Sequence, residues 1–234
     1  MVIKNIGELK TFHHSSEKFS IKEDILEQVN TDNGRFYKTP EGKLYPSVTT
    51  VTGLMSLDSI KKWRQRVGED AANAVTSKAA RRGTRIHKLL ENYINNEPIN
   101  DLNLDYNDYV LFSELKPHLD TNLDNVLCQE ARLYSDYLEM AGTVDCVAEW
   151  KGKLSIIDFK TSTKAKNREY ITNYFCQASA YAIMFEERFK IPVSRIVILI
   201  ATDTDGTQIF EDRRDNFTKQ LLEVRKQYKE RYTV

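Results

Sequence analysis

Asp145, Asp158 and Lys160 are the residues whose types and spacing best suit chemistry in this chain. They lie between Gly142 and Ser162, where Lys151-Gly152 reads as the two-residue turn of a β-hairpin. Such a turn sets Trp150 across from Lys153, and counting back places Asp145 directly opposite Asp158. Their β-carbons would stand about 5 Å apart on one face of a sheet. Two ionised carboxylates so placed repel, a conflict relieved by a cation between them or by a proton on one. Oxygen donors of this kind suit Mg²⁺ or Mn²⁺. Asp158 and Lys160 are two apart on a strand and so share a face. An ammonium there is suited to orienting an attacking water and to stabilising charge that grows on a phosphate. Ile156, Ile157 and Phe159 make the segment apolar, and buried charges rarely lack a task. The plainer alternative, a cross-strand salt-bridge cluster on a solvated face, leaves the acid pair unexplained.

Two basic groups flank this segment. Arg81, Arg82 and Arg85 cluster where a helix carrying His87 reads as starting. A helix start with guanidinium groups suits phosphate, and a solvated basic face accounts for them equally well. Lys164, Lys166 and Arg168 follow the lysine strand and are placed to track a nucleic-acid backbone. Tyr170 and Tyr174, one helical turn apart, fit core packing better than base stacking. His13-His14 has no acidic or cysteine partner at ligand spacing and reads as solvated surface.

The elements that must position these groups follow from periodicity. Residues 1 to 33 are polar and weakly periodic, and read as an arm or small appendage ahead of a domain over 34–234. Arg35 to Lys38, the turn Thr39-Pro40-Glu41-Gly42, and Lys43 to Val48 form a predicted hairpin. Helices are predicted between Leu57 and Asn95, the last with Ile86, Leu89, Leu90, Tyr93 and Ile94 on one face. Another spans Asp105 to Lys116. Strands follow over Val126–Tyr134, Glu139–Trp150 and Lys153–Phe159, then a long helix over Asn167–Phe189. A continuously apolar strand at Arg195–Ala201, a strand at Thr207–Glu211 and a charged helix from Asn216 complete the order. This predicts an α/β fold, a mixed central sheet of about five strands flanked by helices on both faces.

Bulk properties narrow the class. The 234 residues are 41% hydrophobic and 29% charged, with a formal net charge of zero. That is an ordinary globular composition. It argues against a sequence-independent nucleic-acid coat protein, which is usually basic, but not against an enzyme that concentrates positive charge in a cleft. Cys128, Cys146 and Cys176 form no CxxC pair and read as free thiols in a reducing compartment. No apolar run approaches the ~18 residues of a membrane span. The first residues lack a signal-peptide core. A soluble, cytoplasmic protein without a membrane partner is expected.

The motifs together resemble those of a known family. Gly142-Thr143-Val144-Asp145 followed by Ile156-Ile157-Asp158-Phe159-Lys160-Thr161-Ser162 is similar to the signature of PD-(D/E)XK nucleases in the RecB-like exonuclease branch. Gly83-Thr84-Arg85-Ile86-His87 matches its GxxxH pattern and Gln177-Ala178-Ser179-Ala180-Tyr181 its QxxxY pattern. Tyr45 to Thr50 also resembles the N-terminal part of mitochondrial genome maintenance exonuclease-like and phage exonuclease-like members.

The resemblance implies a restriction endonuclease-like core and a metal-dependent DNA exonuclease acting on single-stranded or free ends, in replication, repair or recombination. It implies that Asp145, Asp158 and the Phe159 backbone carbonyl hold Mg²⁺ or Mn²⁺, with His87 as a further ligand and Glu130 as another acidic one. Lys160 is implied as the general catalyst, with Gln177 and Tyr181 beside the centre. The family's iron–sulfur cluster needs four cysteines, so none is expected here. A restriction-like endonuclease and a non-catalytic nucleic-acid-binding subunit on the same fold are the rival readings.

Overall fold

In a computed structural model the described residues are 9–15, 26–99 and 104–232. A small antiparallel sheet leads the fold: β1 (Glu27–Thr31), β2 (Gly34–Lys38) and β3 (Leu44–Pro46). β1 lies within the stretch read from sequence as an arm. Four helices follow: α1 (Val48–Thr52), α2 (Leu57–Val67), α3 (Glu69–Ile94) and α4 (Tyr106–Asn122). Then come β4 (Leu123–Ser135), β5 (Met140–Trp150), β6 (Lys153–Ser162), α5 (Thr172–Phe189), β7 (Arg195–Thr202), β8 (Thr207–Arg213) and α6 (Asp215–Tyr232).

The main sheet has five strands in the order β4-β5-β6-β7-β8. All pairs are antiparallel except β6 with β7, which run parallel because α5 carries the chain back across the sheet. The α/β architecture with a mixed five-stranded sheet is thus as the sequence pattern predicts. Both faces are covered, which is why β7 is apolar from Ile196 to Ala201 on both sides. Ile156, Ile196, Ile198 and Ile200 pack with Phe175 and Phe185 of α5 and Leu221 of α6. Ile157, Val197 and Leu199 pack on the other face with Leu90 of α3 and Phe112 of α4. No helix among the described residues is long and apolar enough to cross a membrane.

Several boundaries differ from the sequence reading: α5 starts at Thr172 and not Asn167, behind a 3₁₀ turn over Arg168–Ile171, and two others have a clear physical reason. α4 continues through Pro117 to Asn122, although proline costs a helix about 3 kcal/mol. Leu115 and Leu119, both at 0% exposure, flank it. Burying two leucines returns roughly 3–6 kcal/mol, so packing wins. β6 runs past Phe159 to Ser162 because Lys160, Thr161 and Ser162 pair with Ile200, Ala201 and Thr202.

Glu211 on β8 ties the β5–β6 turn to β7. It accepts from Trp150 Nε1 at 3.0 Å and Lys151 Nζ at 2.7 Å, and pairs with Arg195. Burial alone would raise its pKa, but the bonds from Lys151, Trp150 and Arg195 outweigh that and hold it at about 2 against an ordinary 4.5. A depressed carboxyl contributes stability that is complete above pH 4.5 and is lost as pH falls through 2. Urea melts should show Glu211→Gln less stable by ~2 kcal/mol at pH 7, the gap narrowing to about half by pH 3. A gap independent of pH would reject the assignment.

Candidate active site

The β5–β6 ladder starts at Trp150↔Lys153 and ends at Cys146↔Ile157. The turn holds Lys151 at φ 52° and Gly152 at φ 69°, the backbone expected of the two-residue hairpin. Asp145 and Asp158 come next in this register, as the count predicts, but the strands no longer pair there. Instead Asp145 Oδ2 accepts from the Phe159 backbone N–H at 2.8 Å, so a side chain stands in for a ladder partner. The other neighbour of Asp145 is equally irregular. On β4, Gln129↔Cys146 and Ala131↔Val144 leave Glu130 opposite Asp145, and Glu130 has φ 46°. A non-glycine residue in the left-handed region is strained, and such strain gathers at functional sites.

Into this gap α3 brings His87. Its Nδ1 is 3.6 Å from both Glu130 Oε1 and Asp145 Oδ1, and its Nε2 bonds with the Phe159 carbonyl at 2.9 Å. One donor atom from each of His87, Glu130 and Asp145 lies within 4.8 Å of the others. Burial lowers the His87 pKa and the Lys160 ammonium adds to that, but Asp145 and Glu130 outweigh both and hold it at about 9. With these neighbours alone His87 carries a proton at neutral pH.

Asp158 stands just outside this group. It is 1% exposed, and neither carboxylate oxygen has a partner in hydrogen-bond geometry. Lys160 Nζ lies 2.5 Å from Oδ2 as an ion pair. Burial pushes Asp158 upward and Asp145 adds to it, against the pull of Lys160. Lys160 itself stays charged: burial lowers it, but Asp158 and Asp145 raise it further. Its ammonium also sits 5.3 Å from the Tyr174 ring. A buried carboxylate whose Oδ1 has no partner, beside two more carboxylates, an imidazole and a carbonyl, is a mainly oxygen donor set that fits a divalent cation.

A cavity of about 250 Å³ joins these groups: His87, Glu130, Asp145 and Lys160 line it with Gln177 and Tyr181 of α5. Tyr181 reaches it by passing over Gly142, where a β-carbon would stand 3.0 Å from the ring. The residues expected at the centre are therefore brought together. The sequence count put the ion between Asp145 and Asp158; the geometry instead groups Asp145 with His87 and Glu130, and turns Asp158 to Lys160.

The basic residues are placed differently. α3 begins at Glu69, so Arg81, Arg82 and Arg85 sit mid-helix, with no free amides of a helix start beside them. Arg82 is bonded to both oxygens of Asp203, and Arg85 grips Asp105 and the fully buried Asp108 at the start of α4. Arg168 pairs with Asp212 and lies over the Phe175 ring at 4.6 Å. Arg81, Lys164 and Lys166 are exposed and make no ion pair among the described residues, and none of these six lines the cavity. Tyr170 is 81% exposed rather than packed in the core. Arg35 and Arg132, which carried no signal in the sequence pattern, border the site instead. The sole hint was Arg132's place two residues past Glu130.

Arg85→Ala should accordingly act on folding. It leaves Asp108 buried without its guanidinium and should lower unfolding free energy by about 2 kcal/mol, less than for a fully buried pair because Arg85 is partly exposed. A thermal melt identical to the parent's would show that the ion pair carries no such load.

No protein-family model matches the chain. Among curated proteins, it is 33% identical over 114 residues to human mitochondrial genome maintenance exonuclease 1, covering 46% of this chain and 32% of that protein. The mouse protein of the same name is 32% identical over 111 residues, with the same coverage of 46% and 32%. The Xenopus tropicalis one is 29% identical over 157 residues, 61% of this chain and 43% of that protein. The matched region thus spans about a third of the human and mouse relatives.

Proposed function

We propose that this chain is a divalent-metal-dependent nuclease of the PD-(D/E)XK type that hydrolyses phosphodiester bonds in DNA, working as an exonuclease on single-stranded ends or flaps. The observation that carries the reading is the convergence of His87, Glu130 and Asp145 beside a half-buried, charged Lys160. The similarity to three proteins named as exonucleases supports it. A place in replication, recombination or repair follows from that substrate class.

His87, Glu130, Asp145 and the Phe159 carbonyl would hold the ion, with Asp158 at its edge. When bound, a Mg²⁺ or Mn²⁺ ion supplies Lewis-acid polarisation of the phosphate and a more acidic water. Asp145 does two jobs: through Oδ2 it fixes the Phe159 amide, and through Oδ1 it faces His87. That locks the Phe159 carbonyl in the same site. Lys160 keeps a positive charge where negative charge grows on the phosphate, and Asp158 pins its ammonium there. Tyr181 and Gln177, 2% and 8% exposed, close the cavity floor and limit bulk water.

The test is digestion of end-labelled linear and closed-circular DNA, single- and double-stranded, with Mg²⁺, Mn²⁺ or EDTA. Linear single strands should shorten from an end only when metal is present. Cleavage of closed circles would convert the reading to an endonuclease. No metal-dependent cleavage of any substrate would overturn it.

A further inference from the structure

A second, outer cavity of about 600 Å³ shares Arg35, His87, Glu130 and Thr143 with the inner one, so the two form one continuous cleft. Its walls hold two features whose character the contacts within the fold do not account for.

The first is a pair of guanidiniums. Arg35 and Arg132 are exposed and have no carboxylate partner among the described residues, although Glu130 lines the same cleft. Their neighbours Arg82, Arg85 and Arg168 are all tied to acids. Both free arginines stand on fixed supports. The Arg35 carbonyl accepts from Ser47 N–H at 2.8 Å and Thr50 Oγ1 at 3.3 Å, and its own N–H donates to Thr50 Oγ1 at 3.2 Å. Gly34, at φ 114°, lies so close to Thr50 that a β-carbon would stand 2.7 Å from Cγ2. Arg132 is in register with Thr143 and donates from Nη1 to the Leu26 carbonyl at 2.8 Å. A guanidinium on a rigid backbone, free of carboxylates, is preorganised for a phosphate diester.

The second is Gly83. It lies inside α3, one turn before His87, and lines the outer cavity. Glycine weakens a helix interior relative to alanine. Nothing within 4 Å would meet a β-carbon at Gly83, and its backbone is not in the left-handed region. Neither packing against the described residues nor backbone conformation calls for glycine. What profits from a bare helix backbone at this point is something outside the chain that runs close to it.

We propose that the substrate strand enters through this outer cavity, its sugar–phosphate backbone passing against the bare helix at Gly83 while Arg35 and Arg132 hold successive phosphates next to the His87–Glu130–Asp145 centre. The proposal rests on the nuclease reading and names the strand path that reading leaves open. Contacts of this kind read phosphate and not base, so the grip is independent of sequence. Arg35 and Arg132 are binding residues, and Gly83 provides clearance.

The test uses a fluorescent single-stranded oligonucleotide and the full chain carrying Lys160→Ala, so that binding is read without cleavage. Arg35→Ala and Arg132→Ala should each weaken binding about tenfold and each reduce the salt slope of the affinity by ~0.7. Arg35→Lys and Arg132→Lys should restore the slope, a recovery that a folding defect would not show. Gly83→Leu should weaken binding at least tenfold with a melting temperature no lower than the parent's. Unchanged affinity and slope in the arginine variants, where the chain with Lys160 intact cleaves DNA, would overturn the proposal and leave the nuclease reading intact. A lower melting temperature for Gly83→Ala would show the glycine to be structural and remove the clearance argument. If the unmodified chain neither binds nor cuts any DNA, the nuclease reading itself falls.

Discussion

Lys160→Ala is expected to lower metal-dependent cleavage about a thousandfold while the chain stays folded. The size follows from where the charge sits. The ammonium is 2.5 Å from Asp158, half-buried, and kept protonated by Asp158 and Asp145 together. It is the one lysine lining the inner cavity among the described residues, and the one side chain paired with Asp158 there. The loss should appear in kcat, because charge that builds only in the transition state is what Lys160 meets. The measurement is single-turnover cleavage at saturating metal, with circular dichroism to confirm the fold. Cleavage within tenfold of the parent would remove Lys160 from the mechanism.

Glu130→Gly separates strain from function. Glu130 holds φ 46° between two regular strand pairs and offers Oε1 to His87 at 3.6 Å. Glycine adopts that backbone without strain, so unfolding free energy should hold or rise, by at most about 1 kcal/mol. Cleavage at limiting Mg²⁺ should fall about a hundredfold, because the site loses a carboxylate of the kind that ties a hard cation. Raising the metal concentration should recover part of the rate. Glu130→Gln provides the contrast: it keeps the strained backbone and so should lose activity without any gain in stability. If both variants lose stability equally, the left-handed backbone is not a source of strain.

The parts of this site legible in the sequence are those fixed by short-range geometry. The hairpin turn at Lys151-Gly152 determines the β5–β6 register, so the apposition of Asp145 and Asp158 followed from counting. The helical stripe from Ile86 to Ile94 likewise settled which side of α3 meets the core. What escaped was set by distant partners. Glu130 takes its unusual backbone from the interruption opposite Asp145, which no local pattern announces. Arg82, Arg85 and Arg168 read as phosphate binders because the acids that hold them, Asp203, Asp108 and Asp212, lie far along the chain. Arg35 and Arg132 were overlooked for the converse reason: neither has a carboxylate partner among the described residues, which only three dimensions reveal. Pro117 misled for a third reason, since its cost was real but smaller than the burial of Leu115 and Leu119.

The bond between His87 and the Phe159 carbonyl spans 72 residues of chain, with β4 and β5 supplying the intervening acids. Bringing such remote segments together demands large loop-closure entropy before any contact repays it, so this assembly belongs to the late, slow part of folding. A partly denatured copy therefore carries every one of these side chains yet holds none of them in register. On the nuclease reading, cleavage would therefore return only with the last tertiary contacts and not with the secondary structure.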